Sequence, residues 1–228
     1  MDFSPIIISL KTASVSIVIT FIVGTLLAYA VYRMKNGKLK SAIDALLTLP
    51  LVLPPTVAGF FLLYIFGLYR PLGSFLADLG IKIVFNWEAT VVAATVIAMP
   101  LMYRSAKAAF MQVDPIYIQA ARTIGLSQFN IVRKILLPLA SPGLTSGGIL
   151  AFSRALGEFG ATAMIAGNIA GTTRTMPLAI YSAVAGGRMD EAYVYVIILL
   201  IISFFFVFIM DFVSEYRARK YRMDINRI

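Results

Sequence analysis

The chain of 228 residues contains no cysteine and no histidine. Disulfides, Cys/His metal sites and imidazole acid–base chemistry are therefore excluded. Charge is sparse: 14% of the residues are charged, and 11 acidic residues face 20 basic ones. No nucleophile–base pair is apparent. The phosphate-cradling pattern G-x-x-x-x-G-K-S/T is also missing, so any ATP hydrolysis belongs to another chain. The glycines of "LTSGGIL", 144–150, open an apolar helix and read as packing residues.

Apolar side chains are abundant, at 60% of the total, and the mean hydropathy is +0.86. Several charge-free runs reach the length of about 20 residues that a helix needs to cross a bilayer. The expected fold is an all-α integral membrane protein with about five spans, near 12–32, 45–69, 88–110, 143–167 and 191–213. The apolar region 135–173 exceeds one crossing at about 1.5 Å per residue. Pro138 and Pro142 interrupt its start, which puts the span at 143–167. In the second span Pro50, Pro54 and Pro55 remove backbone donors and predict a kink or break, a candidate gate element. Ala28-Tyr29-Ala30 is not read as a secretory cleavage site, because Arg33, Lys35, Lys38 and Lys40 follow the apolar run instead of preceding it. Residues 1–228 are read as a single transmembrane domain.

Five spans put the termini on opposite sides. Fourteen of the 20 basic residues then fall on one side, including Arg33, Lys35, Lys38, Lys40, Arg104, Lys107, Arg217, Arg219, Lys220, Arg222 and Arg227; five fall on the other, and Arg154 lies in the membrane. The positive-inside rule assigns the richer side, with the C-terminus, to the cytoplasm and the N-terminus to the outside. The formal charge of +9 is explained by topology and suits an anionic inner leaflet; a nucleic-acid partner is not expected.

The longest non-spanning segment on the basic side, 114–138, reads as two short helices. Asp114 is a good N-cap, Pro115 fits the first helical position, and Gly125 supplies a left-handed stop. Ser127 caps a second helix, which Pro138 is expected to end. Gln119, Ala120, Ala121, Gly125, Ile135, Leu137 and Pro138 stand at the spacing E-A-A-x3-G-x9-I-x-L-P, with Gln in place of the first Glu. In that spacing the loop resembles the cytoplasmic loop of permeases in binding-protein-dependent ABC importers. The resemblance implies that Gln119, Ala120, Ala121, Arg122, Thr123 and Gly125 belong to a coupling helix seated in a groove on a separate ATPase. The paired alanines would form a small face open to that partner.

The stretch "RALGEFGAT", 154–162, places Arg154 and Glu158 four residues apart in an apolar region. Each charge alone costs roughly 2.5–3.5 kcal/mol at a helix centre, so the pair is expected to face protein or water. On one helix it shares a side with Gly143, Gly147, Ala151 and Ala161, small residues that let another helix approach. Two readings stay open: a salt bridge that pins helix packing, and a lining of a solute pathway or gate.

"RALGEFGAT", the following "GNIAGTTRTMPLAIYSAV" and "LPLVLPPTVAGF" at 49–60 are very similar to the molybdate ABC transporter permease family, over nearly the whole chain. That resemblance implies a type I importer fold in the cell membrane. Its partners would be a second copy of the chain, two cytoplasmic ABC ATPase subunits, an extracytoplasmic molybdate-binding protein and the lipid bilayer. The chain itself would be no enzyme and bind no cofactor, with ATP and Mg on the ATPase. Asn168, Thr173 and Arg174 would then offer donors on the outer side to the oxyanion or to its delivery protein. Sulfate and tungstate permeases have similar "GEFG" segments. A secondary anion transporter is a rival, but it would carry an inverted repeat and more titratable groups at the midplane. A structural scaffold leaves the loop spacing unexplained.

Overall fold

The computed structural model describes residues 2–225, a chain of helices. Of the basic residues counted above, Arg227 lies outside them, as do the side chains of Arg217, Arg219, Lys220 and Arg222. The helices are α1 (Ser4–Arg33), α2 (Lys38–Val52), α3 (Pro55–Phe66), α4 (Pro71–Asp78), α5 (Trp87–Gln112), α6 (Pro115–Thr123), α7 (Gln128–Ile131), α8 (Leu137–Leu156), α9 (Gly160–Ile165), α10 (Met176–Ala185) and α11 (Met189–Ile225), with a π-helical segment (Val132–Leu136) between α7 and α8. Among the described residues, four helices are long and apolar enough to cross a membrane, or five if the bent pair α2–α3 counts as one crossing.

Helix α5 is the axis of the bundle, with α1 and α8 packed along it. The packing is that of a protein dissolved in hydrocarbon. Helix α1 buries Ser9, Thr12, Ala13, Ser16, Thr20, Gly24 and Ala28, and turns Ile7, Val18, Ile22 and Leu26 outward. Large apolar residues gain nothing by leaving lipid, whereas small ones let backbones approach and hydroxyls find partners. Thr12 and Thr90 hydroxyls meet at 2.7 Å, Trp87 Nε1 donates to Thr12 Oγ1 at 3.1 Å, and Thr95 Oγ1 donates to Ser16 Oγ at 3.1 Å. A Cβ added at Gly143 would sit 2.6 Å from Ala109 Cβ, and one at Gly147 2.6 Å from Ser105 Cβ, so these two members of the expected small-residue stripe receive α5 as their neighbour, whereas Ala161 lies on α9 and meets Gly59 of α3.

The prolines act in two ways. Leu53 and Pro54, each followed by a proline, are both extended (φ −68°, ψ 139° and φ −53°, ψ 134°), and α2 and α3 meet at a 113° bend. The residue before proline is pushed out of the helical region, and two in succession break the helix. Pro138 behaves otherwise and corrects the expectation that it ends the second loop helix. Leu137 stays helical (φ −63°, ψ −45°), and its N–H reaches back five residues to Val132 O. The widened π turn ends where the proline ring enters, so the chain runs as one helical rod from Gln128 to Leu156.

A second correction follows. The helix expected at 143–167 starts earlier and stops at Leu156; the chain breaks at Gly157–Phe159 and resumes as α9. Neither proline defined the start of the rod: the π turn absorbs Pro138, and α8 runs on through Pro142. Its end is set by side-chain contacts of Glu158, described next.

Candidate functional site

Three places hold the residues singled out from the sequence: the short helix at the basic end, the joint between the two helix breaks, and the turn after α9.

At the basic end, Asp114 accepts a hydrogen bond from Ile116 N at 2.9 Å and starts α6. Gly125 takes φ +78°, Leu126 N bonds Ala121 O at 3.0 Å, and Gly125 N bonds Arg122 O at 3.0 Å, a left-handed helix stop. Ser127 Oγ then accepts from Asn130 N at 3.4 Å to start the rod. Gln128 Nε2 donates to Tyr29 OH at 3.3 Å, tying the elbow to the end of α1. The alanine pair is split, which corrects the idea of a two-alanine face: Ala121 is buried, whereas Ala120 is exposed. Successive helical residues point about 100° apart, so two neighbours cannot share one contact. The outward face carries Tyr117, Ala120 and Ile124 in one row, with Ile116 and Phe129 beside it, all exposed; Gln119, Arg122 and Thr123 are exposed as well. An exposed apolar row among polar residues is the kind of surface that partners cover.

At the joint, the break after α2 meets the break after α8. A Cβ at Gly160 would lie 3.0 Å from Pro55 Cβ and 3.2 Å from Thr56 N, and one at Gly59 would lie 2.7 Å from Ala161 Cα. Pro54 and Pro55 thus open a helix that packs on the segment held by Glu158, and Arg154 is tied to that segment through Glu158. Glu158 is 2% exposed. Its Oε1 accepts from Ala161 N at 2.8 Å and holds the first turn of α9, while Oε2 lies 2.8 Å from Arg154 Nη1 as an ion pair without hydrogen-bond alignment. The charges are four apart, as expected, but they do not share a helix, because Glu158 has left α8 to cap α9. Arg154 keeps 31% of its side chain exposed. The guanidinium is partly exposed and its counter-charge is buried behind it.

In the turn after α9, Arg174 Nε donates to Asn168 Oδ1 at 2.8 Å, and Asn168 Nδ2 donates to Ser182 Oγ. Thr173 does not join them. It is buried, and its Oγ1 accepts from Ile169 N at 3.0 Å, so this hydroxyl is consumed in the turn and not presented outward, contrary to the sequence expectation.

One charged cluster was missed. Asp44 on α2 pairs with Lys107 on α5, Nζ to Oδ1 at 2.6 Å, and also accepts from Tyr103 OH. The available signal was a lone carboxylate at the edge of an apolar run, opposite a Tyr-x-x-x-Lys pair one turn apart.

The family model described as "Binding-protein-dependent transport system inner membrane component" matches residues 5–223. The chain is 42% identical over 210 residues to the putative molybdenum transport system permease protein YvgM of Bacillus subtilis (strain 168), covering 92% of each. It is 38% identical over 221 residues to the molybdenum transport system permease protein ModB of Escherichia coli (strain K12), covering 96% of this chain and 94% of that one. In fold it is similar to a chain of the inward-facing MetNI methionine ABC transporter, with TM-score 0.74, 21% identity and 93% and 94% of the two chains covered. It is also similar to a chain of a bacterial ABC transporter that imports alginate, with TM-score 0.76, 15% identity and 94% and 79% covered.

Proposed function

The chain belongs to the family of binding-protein-dependent transport system inner membrane components, and from that premise we propose that it is the membrane-spanning permease subunit of an ATP-driven importer of molybdate. It is a multi-pass cell-membrane protein and not an enzyme; a binding protein delivers the solute, and a separate ATPase supplies the energy. The solute assignment draws on relatives at 38–42% identity that carry molybdenum transport in their names.

The observation that carries the mechanism is the capped, exposed α6 with its apolar row Tyr117, Ala120 and Ile124. This row enters a groove on the ATPase, and Gly125 fixes its angle to the rod behind it. The rod from Gln128 to Leu156 has 29 residues, roughly 44 Å at 1.5 Å per residue, and joins α6 to the joint of Pro54, Pro55, Arg154 and Glu158. Closure of two ATPase subunits on ATP and Mg pushes α6, tilts the rod and opens the joint outward; hydrolysis reverses it. Two copies of the chain form the pathway, with the N-terminus outside and the basic end in the cytoplasm. Arg154 attracts the oxyanion, and Glu158 keeps it from being trapped. Asn168 and Arg174 meet the binding protein or its cargo.

The assembled transporter in liposomes tests this. ATP turnover should rise when the binding protein is loaded with molybdate or tungstate; stimulation by sulfate alone would overturn the solute while sparing the class. Ala120→Arg should abolish co-purification of the ATPase and leave membrane insertion intact. Retained assembly would remove α6 from the coupling role.

A further inference from the structure

At the basic end, α2 and α5 border an open-sided chamber of about 430 Å³ in which Asp44, Tyr103, Arg104 and Lys107 stand beside the apolar Ala45, Ala108 and Met111. Helix α5 is covered along most of its length. Its exposed residues are Glu88 at the start and Arg104, Ala108, Met111 and Gln112 toward the end, and Arg104, Ala108 and Met111 line this chamber. Helix α2 buries no residue in the bundle, so one wall of the chamber is lightly held. Two cations stand there against one carboxylate. Lys107 is paired with Asp44, whereas Arg104 is exposed and makes no ion pair among the described residues.

The chamber repeats the chemistry of the joint at another depth. Gly143 opposite Ala109 and Gly147 opposite Ser105 set an antiparallel register between α8 and α5. Continued, that register puts Arg154 level with Ala98, six residues from Arg104, or about 9 Å along the axis at 1.5 Å per residue. Each level has an accessible guanidinium and one carboxylate as counterweight. A guanidinium fork matches a tetrahedral oxyanion, and an ammonium already shared with a carboxylate can be drawn to an arriving anion without leaving a bare charge behind.

We propose that this chamber is a second, shallow oxyanion station, one step nearer the basic end than Arg154. Arg104 holds the anion, Lys107 is shared between the anion and Asp44, and Asp44 keeps the well weak enough for release. The station rests on the importer reading above. Its test is equilibrium dialysis of radiolabelled molybdate against the permease–ATPase complex in nanodiscs, without binding protein. Arg104→Gln should weaken binding about tenfold, the loss of one charge-assisted contact, and Arg104→Lys should recover part of it. Asp44→Asn should shift affinity the other way, tightening binding several-fold as Lys107 loses its competitor. A purely structural cluster would not give opposite signs. Equal affinity in Arg104→Gln and wild type, or weakening by Asp44→Asn as well, overturns the station. ATPase stimulation by molybdate-loaded binding protein is measured on the same preparations. If wild type lacks it, the importer reading falls; if it persists while the affinities fail to move, only the station does.

Discussion

At Pro54-Pro55 the chain turns through 113°, whereas at Pro138 it continues as a helix. The residue type is the same, and so is the missing N–H. The tandem forces two consecutive residues out of the helical region, which no local adjustment repairs. The single proline is met by one widened turn, in which Leu137 N bonds Val132 O. One stretch thereby becomes a joint and the other a rod. The difference teaches that a proline in an apolar helix reports a lost hydrogen bond, while the number of neighbouring residues it constrains decides between a break and a detour.

The contrast can be broken most forcefully at the joint. Gly59→Val puts a Cβ 2.7 Å from Ala161 Cα and 2.8 Å from Ala161 O, both backbone atoms that cannot step aside. Its expected cost is more than about 1–3 kcal/mol, the range for overpacking a core, read as a lowered Tm of the purified protein. A wild-type Tm would mean that the two breaks are not packed together. Next comes the joint Pro54→Ala and Pro55→Ala change, with spin labels at the exposed positions Leu46 and Tyr64. If the tandem alone imposes the bend, the label separation should move toward about 27 Å, the length of an 18-residue helical rise, and each single change should move it less. An unchanged distance in the double variant would assign the bend to tertiary packing.

Glu158→Gln follows: the acceptor for Ala161 N survives and the ion pair is lost. Since Arg154 is partly exposed, the expected cost is about 1 kcal/mol in thermal stability. Glu158→Ala should cost about 1 kcal/mol more for the cap. Equal effects of the two would remove the capping role. The smallest effect is expected at Pro138→Ala, within about 0.5 kcal/mol, because the π turn already accommodates the ring. A loss matching that of Gly59→Val would refute the rod.

Much of the basic end was legible. Asp114, Pro115, Gly125 and Ser127 act within three residues of their own positions, through caps and a left-handed turn, and each stands where its local chemistry requires. The apolar runs and the tandem-proline break were legible for the same reason. The Arg154–Glu158 contact was anticipated, but its setting was not: Glu158 leaves the helix because Ala161 N and Arg154 Nη1 both offer it partners. Residue identity does not rank those partners against one more turn of α8. The division of Ala120 from Ala121, the burial of Thr173 and the pairing of Asp44 with Lys107 depend on which face an element turns toward a neighbour dozens of residues away.

By itself the sequence determined that this is a helical membrane protein, where its backbone must stop or bend, and that a capped elbow hangs at its basic end, because hydropathy, proline and glycine act on the chain within a turn or two. Only the tertiary structure decided that two broken helices close on one another around Glu158 and that α2 brings its carboxylate to α5. Those outcomes are set by competition among distant partners for the same hydrogen bonds and charges in a medium that supplies no water to replace them.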